Sequence, residues 1–127
     1  MSETQNEAVI RRLIDCINDR DIDVMDELFN DDAVMHWPQS GELVSGADNR
    51  RKVYHAFPTL PTITPRRMLS AGAIVIAEAS LDYGGPVYET VFIFEFAEGK
   101  IARETAYWAE PFAPPAWRSE WVSLEME

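Results

Sequence analysis

Residues 87–109 read VYETVFIFEFA, then EG, then KIARETAYWA. Tyr88, Thr90, Phe92, Phe94 and Phe96 alternate with Glu89, Val91, Ile93 and Glu95, which is the period of a strand and not of a helix. Glu98-Gly99 interrupts the run as a two-residue turn and residues 100–109 resume it, so the stretch predicts a hairpin. Upstream, Gly84-Gly85 marks a second turn, residues 73–83 a third strand and residues 64–70 a fourth. Long strands in tight succession make an antiparallel meander.

Before the meander the period changes. Thr4 and Glu7 have capping-box spacing, and Val9, Ile10, Leu13, Ile14 and Ile17 then recur on one helical face. Arg20-Asp21 breaks the pattern, and a short second helix follows with Met25, Leu28 and Phe29 on one side. Residues 33–37 read as a strand stopped by Pro38, and residues 39–42 as a turn. Ser45 and Asp48 predict a second capping box, opening a third helix that runs to about Phe57. Pro58, Pro61 and Pro65 then exclude a helix. Three helices packed on a strongly curved, mainly antiparallel sheet make an α+β domain.

The chain has 127 residues, which is one domain, 1–127. Its 46% hydrophobic and 26% charged residues are ordinary globular values and exclude disorder as the dominant state. Eleven basic against 22 acidic residues give a net charge of −11, the wrong sign for tracking phosphates or anionic lipid. Nucleic acid and membrane are therefore not expected partners. The first seven residues lack a basic and apolar leader, and a cytoplasmic location is expected. Cys16 has no disulfide partner and sits among Leu13, Ile14 and Ile17, so it reads as core filler.

A sheet with one wet face alternates cleanly between apolar and polar. Here Ile74 and Ile76 share a face with Glu78, Ser80 and Asp82, and Val91 and Ile93 share one with Glu89 and Glu95. This half-apolar second face predicts a homodimer through the sheet, against a monomer with a somewhat apolar outer face.

Three stretches are similar to the SnoaL-like branch of the nuclear transport factor 2-like (NTF2-like) superfamily. They are residues 31–38 (DDAVMHWP), residues 41–46 (GELVSG) and residues 94–104 (FEFAEGKIARE), and the likeness spans about 5–112. The resemblance implies a cone, with helices closing over a bent sheet around an apolar pocket, and dimerisation through the sheet. It covers polyketide cyclases, ketosteroid isomerases, epoxide hydrolases, dehydratases and non-catalytic modules. No cofactor is implied.

Compared with those enzymes, the steroid isomerase carboxylates fall on Trp37 and Phe92, and their first-helix tyrosine has no counterpart. The Arg-x-Asp of the epoxide hydrolases falls on Ser80 and Asp82. The acid/base group of the cyclases falls on Glu104 or Glu110. Glu104, Ala106, Trp108 and Glu110 share strand parity, as do Glu78, Ser80 and Asp82. If both sets face inward, several carboxylates sit beneath Trp37, Tyr88, Phe92 and Trp108, and like charges raise one pKa. On this reading Glu104 is the acid/base group, with Asp82, Glu78 and Tyr88 as partners. Trp37, Met35, Phe92 and Trp108 line the pocket. The alternative puts the carboxylates at the mouth or in pairs with Arg66, Arg67 or Arg103. A bulge in the last strand would exchange Glu104 and Trp108 for Thr105 and Tyr107. His36 has parity opposite to Trp37 and is either a base or a structural contact.

Metal is not expected. A calcium loop starting at Asp19 would place Val24 where glycine is needed and Asn30 where a bidentate Glu is needed. His36, His55 and Cys16 lack ligand spacing. The expected function is binding of a small apolar or amphipathic molecule, with cofactor-free cyclisation, isomerisation or dehydration, or else a non-catalytic binding or assembly module. In the tail, residues 113–127, Trp117 and Trp121 stand one turn apart and are expected to dock on the body or on a partner.

Overall fold

The computed structural model describes residues 3–125. Helix α1 (Glu3–Asn18) buries Ile10, Leu13, Ile14, Cys16 and Ile17 on one side. Burial also raises the Cys16 thiol pKa. The Thr4–Glu7 capping box is not made. Thr4 already lies within the helix, and Glu7 instead accepts a hydrogen bond from Ser70 and pairs with Arg11 at 3.4 Å. Asn18 docks the far end of α1 on the sheet, accepting from Ile63 N at 2.7 Å and donating to Ile63 O at 2.9 Å.

Helix α2 (Ile22–Asp26) is shorter than the sequence predicts. Phe29 belongs to strand β1 (Phe29–Trp37), where it pairs with Ile101. A long-range pairing thus overrides the local helical spacing. Residues 42–45, where the sequence predicts the end of a turn and a helix cap at Ser45, form strand β2 (Glu42–Ser45), antiparallel to β1. Helix α3 (Ala47–Ala56) starts from Gly46, whose φ of 83° suits glycine. No Ser45–Asp48 box forms, because Gly46 holds the cap position and Asp48 pairs with Arg51 at 2.9 Å.

The meander is present as β3 (Thr62–Ala71), β4 (Ile74–Asp82), β5 (Val87–Ala97) and β6 (Lys100–Ala109). Glu98 and Gly99 both have positive φ, 56° and 81°, the geometry of a two-residue hairpin turn. The six strands run β2-β1-β6-β5-β4-β3, and β1 lies parallel to β6 while every other pair is antiparallel. The result is the expected α+β cone, with its core between the helices and the concave face.

One irregularity sets which side chains enter that core. Phe96 pairs with Ile101, but Glu95 pairs with Arg103, so Ala102 is an extra residue, a bulge. Ile101 points inward before the bulge and Glu104, Ala106 and Trp108 point inward after it. Parity switches between two inward residues of one strand.

The tail beyond β6 does not dock on its own body. It forms a 3-10 helix, Ala116–Trp121, in which Trp117 and Trp121 are 73% and 75% exposed. Three prolines, Pro111, Pro114 and Pro115, stiffen the preceding segment. Among the described residues, no helix is long and apolar enough to cross a membrane.

Candidate functional site

An apolar cavity lies inside the cone, between α1, the end of α3 and the concave sheet. Its inner wall is Ile10, Leu13, Ile14 and Ile17 from α1, with Ala77, Ala79 and Leu81 from β4. These three β4 residues alternate on one face, and the small side chains of Ala77 and Ala79 leave room for a ligand. Trp37, Phe92 and Trp108 form the aromatic side. Trp108 meets Trp37 edge-on at 5.9 Å and Phe92 at 6.2 Å. The volume that the centre of a water-sized molecule can reach is about 50 Å3. That is the room of roughly three to five waters.

Glu104 is the one carboxylate among the described residues lining this cavity. It is 4% exposed and makes no hydrogen bond or ion pair there. Burial pushes its pKa up to about 7, against a weaker pull from the Arg50 charge. An isolated carboxyl in an apolar site keeps its proton because the charged form loses its hydration. The cause is therefore desolvation, not the crowding of several carboxylates that the sequence predicts.

Two phenols join it. Tyr54 from α3 and Tyr83 at the end of β4 line the cavity, and burial, reinforced by Glu104, raises both pKa values, so both stay protonated. The Tyr83 hydroxyl accepts from Trp108 Nε1 at 3.2 Å, which leaves its own proton free to be donated. Outside, the cavity opens to a mouth lined by Trp37, Phe57, Tyr83, Tyr88 and Trp108. Gln39 holds the β6 side of that mouth through paired hydrogen bonds to the backbone of Trp108.

The other expected site residues lie elsewhere. Ala77, Ala79 and Leu81 face inward, so Glu78 and Asp82 point to the convex face, away from Glu104. There Glu78 takes both bonds of the Arg67 guanidinium, at 2.9 and 3.1 Å, while Asp82 accepts from Gly84 N at 2.7 Å and holds the turn. Tyr88 has inward parity but stands at the mouth, donating to Glu110 at 3.3 Å. Met35 is 1% exposed and packs in the core beside Glu104 in the β1–β6 register without lining the cavity. His36 sits on the convex side, its Nδ1 3.2 Å from Arg103. Arg103 is a donor, so that nitrogen is the unprotonated one.

Tyr54, Phe57, Tyr83 and Arg50 were not anticipated. The i, i+3 spacing of Tyr54 and Phe57 at the end of α3 is a signal for the first two. Arg50 carries none. It is 1% exposed, pairs with Asp26 at 2.7 Å, and stacks 4.6 Å above the Phe29 ring.

Comparison with known proteins agrees with this architecture. A crystal structure of an NTF-2 like protein of unknown function from Burkholderia xenovorans LB400 is 33% identical, with a TM-score of 0.87 over 98% of each chain. That overlap is long enough to include most of the C-terminal tail. The structure of a putative ketosteroid isomerase from Kribbella flavida DSM 17836 is 24% identical, with a TM-score of 0.89 over 98% of this chain and 93% of that one. An LEH-like epoxide hydrolase from M. tuberculosis is 18% identical, with a TM-score of 0.73 over 84% of each chain. None of the curated proteins matches. The SnoaL-like domain profile matches residues 10–104, which include the cavity lining from Ile10 to Glu104 but not Trp108. The chain therefore belongs to the SnoaL-like family and carries its α+β cone.

Proposed function

We propose that this chain binds a small, largely apolar molecule with one polar group, and that Glu104 moves a proton on it without a cofactor. The observation that carries the reading is one unpaired carboxyl, in an otherwise apolar cavity, with its pKa pushed up to about 7. Such a group is present in both protonation states near neutral pH, the condition for general acid/base work. Ionised, Glu104 takes a proton from a carbon next to a carbonyl. Protonated, it returns that proton at another position or gives it to a departing hydroxyl. Tyr54 and Tyr83 offer hydrogen bonds to the oxygen that gains charge. No electron leaves the ligand, so cyclisation, isomerisation and dehydration are the reaction classes that fit. The small cavity takes the reacting end, and the aromatic mouth takes a flat apolar body.

The working unit in this reading is a homodimer formed through the convex face, where Ile74 and Ile76 are 39% and 36% exposed.

The test has two parts. Native mass spectrometry of the purified protein, with analysis of what it releases, identifies a bound molecule. Carbon-detected NMR then follows the Glu104 carboxyl through pH 4–9 with and without it. A titration near 7 that moves when the molecule binds, and deuterium uptake by that molecule in D2O that Glu104→Gln abolishes, are the expected results. A Glu104 that titrates near the ordinary carboxylate value rejects acid/base chemistry. Binding unchanged in Glu104→Gln, with no deuterium uptake, assigns a non-catalytic binding module.

A further inference from the structure

The large apolar side chains that remain exposed among the described residues fall in two places. Leu43, Leu69, Ile74, Ile76, Val87 and Tyr107 are on the convex side of the sheet. Phe112, Trp117, Trp121, Val122 and Leu124 are on the tail. Each set is what the other lacks. The sheet offers a broad apolar surface with nothing on it, and the tail offers large aromatic groups with nothing under them. Trp side chains left in water are unfavourable, and an exposed patch of this kind marks an interaction surface.

The tail does not lie on its own sheet, and Trp117 and Trp121 are 73% and 75% exposed. Pro111, Pro114 and Pro115 stiffen the six residues between β6 and the 3-10 helix, and Pro115 is extended with ψ 139°. Among the described residues, the ring contact of Trp117 is with Arg118, its own neighbour, at 5.5 Å. The tail therefore projects with its tryptophans preformed on one short helix, and it lies within the span shared with the Burkholderia protein.

Charge identifies the occupant. The whole chain carries −11, so two copies repel over most of their surfaces. The convex face differs. Of its acids, Glu78, Glu89 and Glu95 are paired with Arg67, Arg66 and Arg103, and Asp82 accepts from Gly84 N. A second copy meets there a surface whose charges largely cancel. On the 3-10 helix, Arg118 likewise offsets Glu120.

We propose that the C-terminal tail is an arm that crosses to a second copy of this chain and lays Trp117 and Trp121 on its convex sheet. Each subunit is then clasped by the other. The inference rests on the homodimer reading above and adds the arm to it.

The test uses the full-length chain with Trp121 replaced by the photoreactive p-benzoylphenylalanine. Isotope-labelled and unlabelled chains are mixed after exchange, irradiated and digested. Adducts joining labelled to unlabelled peptides, with the acceptor on β3–β6 of the convex face, are the expected result. A Trp117→Ala/Trp121→Ala variant, checked for native circular dichroism, is expected to weaken the dimer at least tenfold by light scattering. If full-length protein is monomeric at high micromolar concentration, the dimer and the arm both fall. If it is dimeric but adducts stay within one chain, or the double variant dimerises as well as the parent, the arm falls and the sheet dimer stands.

Discussion

Arg50 Nε donates to Asp26 Oδ1 at 2.7 Å, and the other Asp26 oxygen accepts from Arg51 at 2.6 Å. Burial pushes the Asp26 pKa up, but the two guanidiniums outweigh it and the net shift is down. The charge on Arg50 in turn pulls against burial at Glu104. Asp26→Asn strands the Arg50 charge in the interior, which costs about 3–5 kcal/mol. It also removes the counter-charge that softens Arg50, so Glu104 is expected to titrate below its value of about 7. Denaturant unfolding measures the first effect and carboxyl NMR the second. A variant whose Glu104 titration does not move would separate Arg50 from the site.

Glu104 itself makes stability depend on pH. Its folded pKa is raised from 4.5 to about 7, so between those values the folded protein holds a proton that the unfolded chain releases. The contribution is complete below about pH 4.5 and is lost as pH rises through 7. A shift of this size is worth about 3 kcal/mol. Glu104→Gln has no such ionisation. It is expected to match the parent near pH 4 and to exceed it by up to about 3 kcal/mol at pH 8. Urea unfolding across pH 4–8 gives the two curves, and parallel curves would contradict the assignment.

Phe57 stands where three spaces meet: the cavity, the aromatic mouth, and a polar groove with Arg20, Asp21, Asp23 and His55. Its ring is 5.6 Å from that of Tyr54, which lines the cavity and the groove. Phe57→Ala is expected to join the groove to the cavity and let water reach Glu104. The Glu104 pKa should then fall towards the ordinary range, ligand dissociation should quicken, and stability should drop by about 2 kcal/mol for the lost apolar burial. Stopped-flow release of the co-purified molecule reads the second effect.

Glu78 and Asp82 are the controls. Both are on the convex face, and the Glu78–Arg67 pair is exposed. Glu78→Gln and Asp82→Asn are each expected to change stability by no more than about 0.5 kcal/mol and to leave the Glu104 titration in place. A shift of that titration by either would mean that the strand faces have been assigned the wrong way round.

Much of the fold is written in local pattern. The period of two over residues 87–109, the Glu98-Gly99 turn, the helical spacing of Ile10, Leu13, Ile14 and Ile17, and the proline break at residues 58–65 are each fixed by neighbours in the chain. They needed no tertiary information, and together they determined an α+β domain with a meander and an apolar helix face. The grouping of Glu104 with Trp108 on one face of β6 followed from alternation. Which face of β4 turns inward did not. Its two faces are Ala77, Ala79 and Leu81 on one side and Glu78, Ser80 and Asp82 on the other, and alternation alone is symmetric between them. The pairing of Phe92 with Ala77 and with Ala106 resolved it, because residues directly opposite share a face. The parallel contact of β1 with β6, the conversion of Phe29 from helix to strand and the burial of Arg50 beside Asp26 depend on groups 24 to 72 residues apart, which no short window contains. The bulge at Ala102 matters most to the site. It lets Ile101 and Glu104 share the interior although their parity differs, and only the register against β5 reveals it.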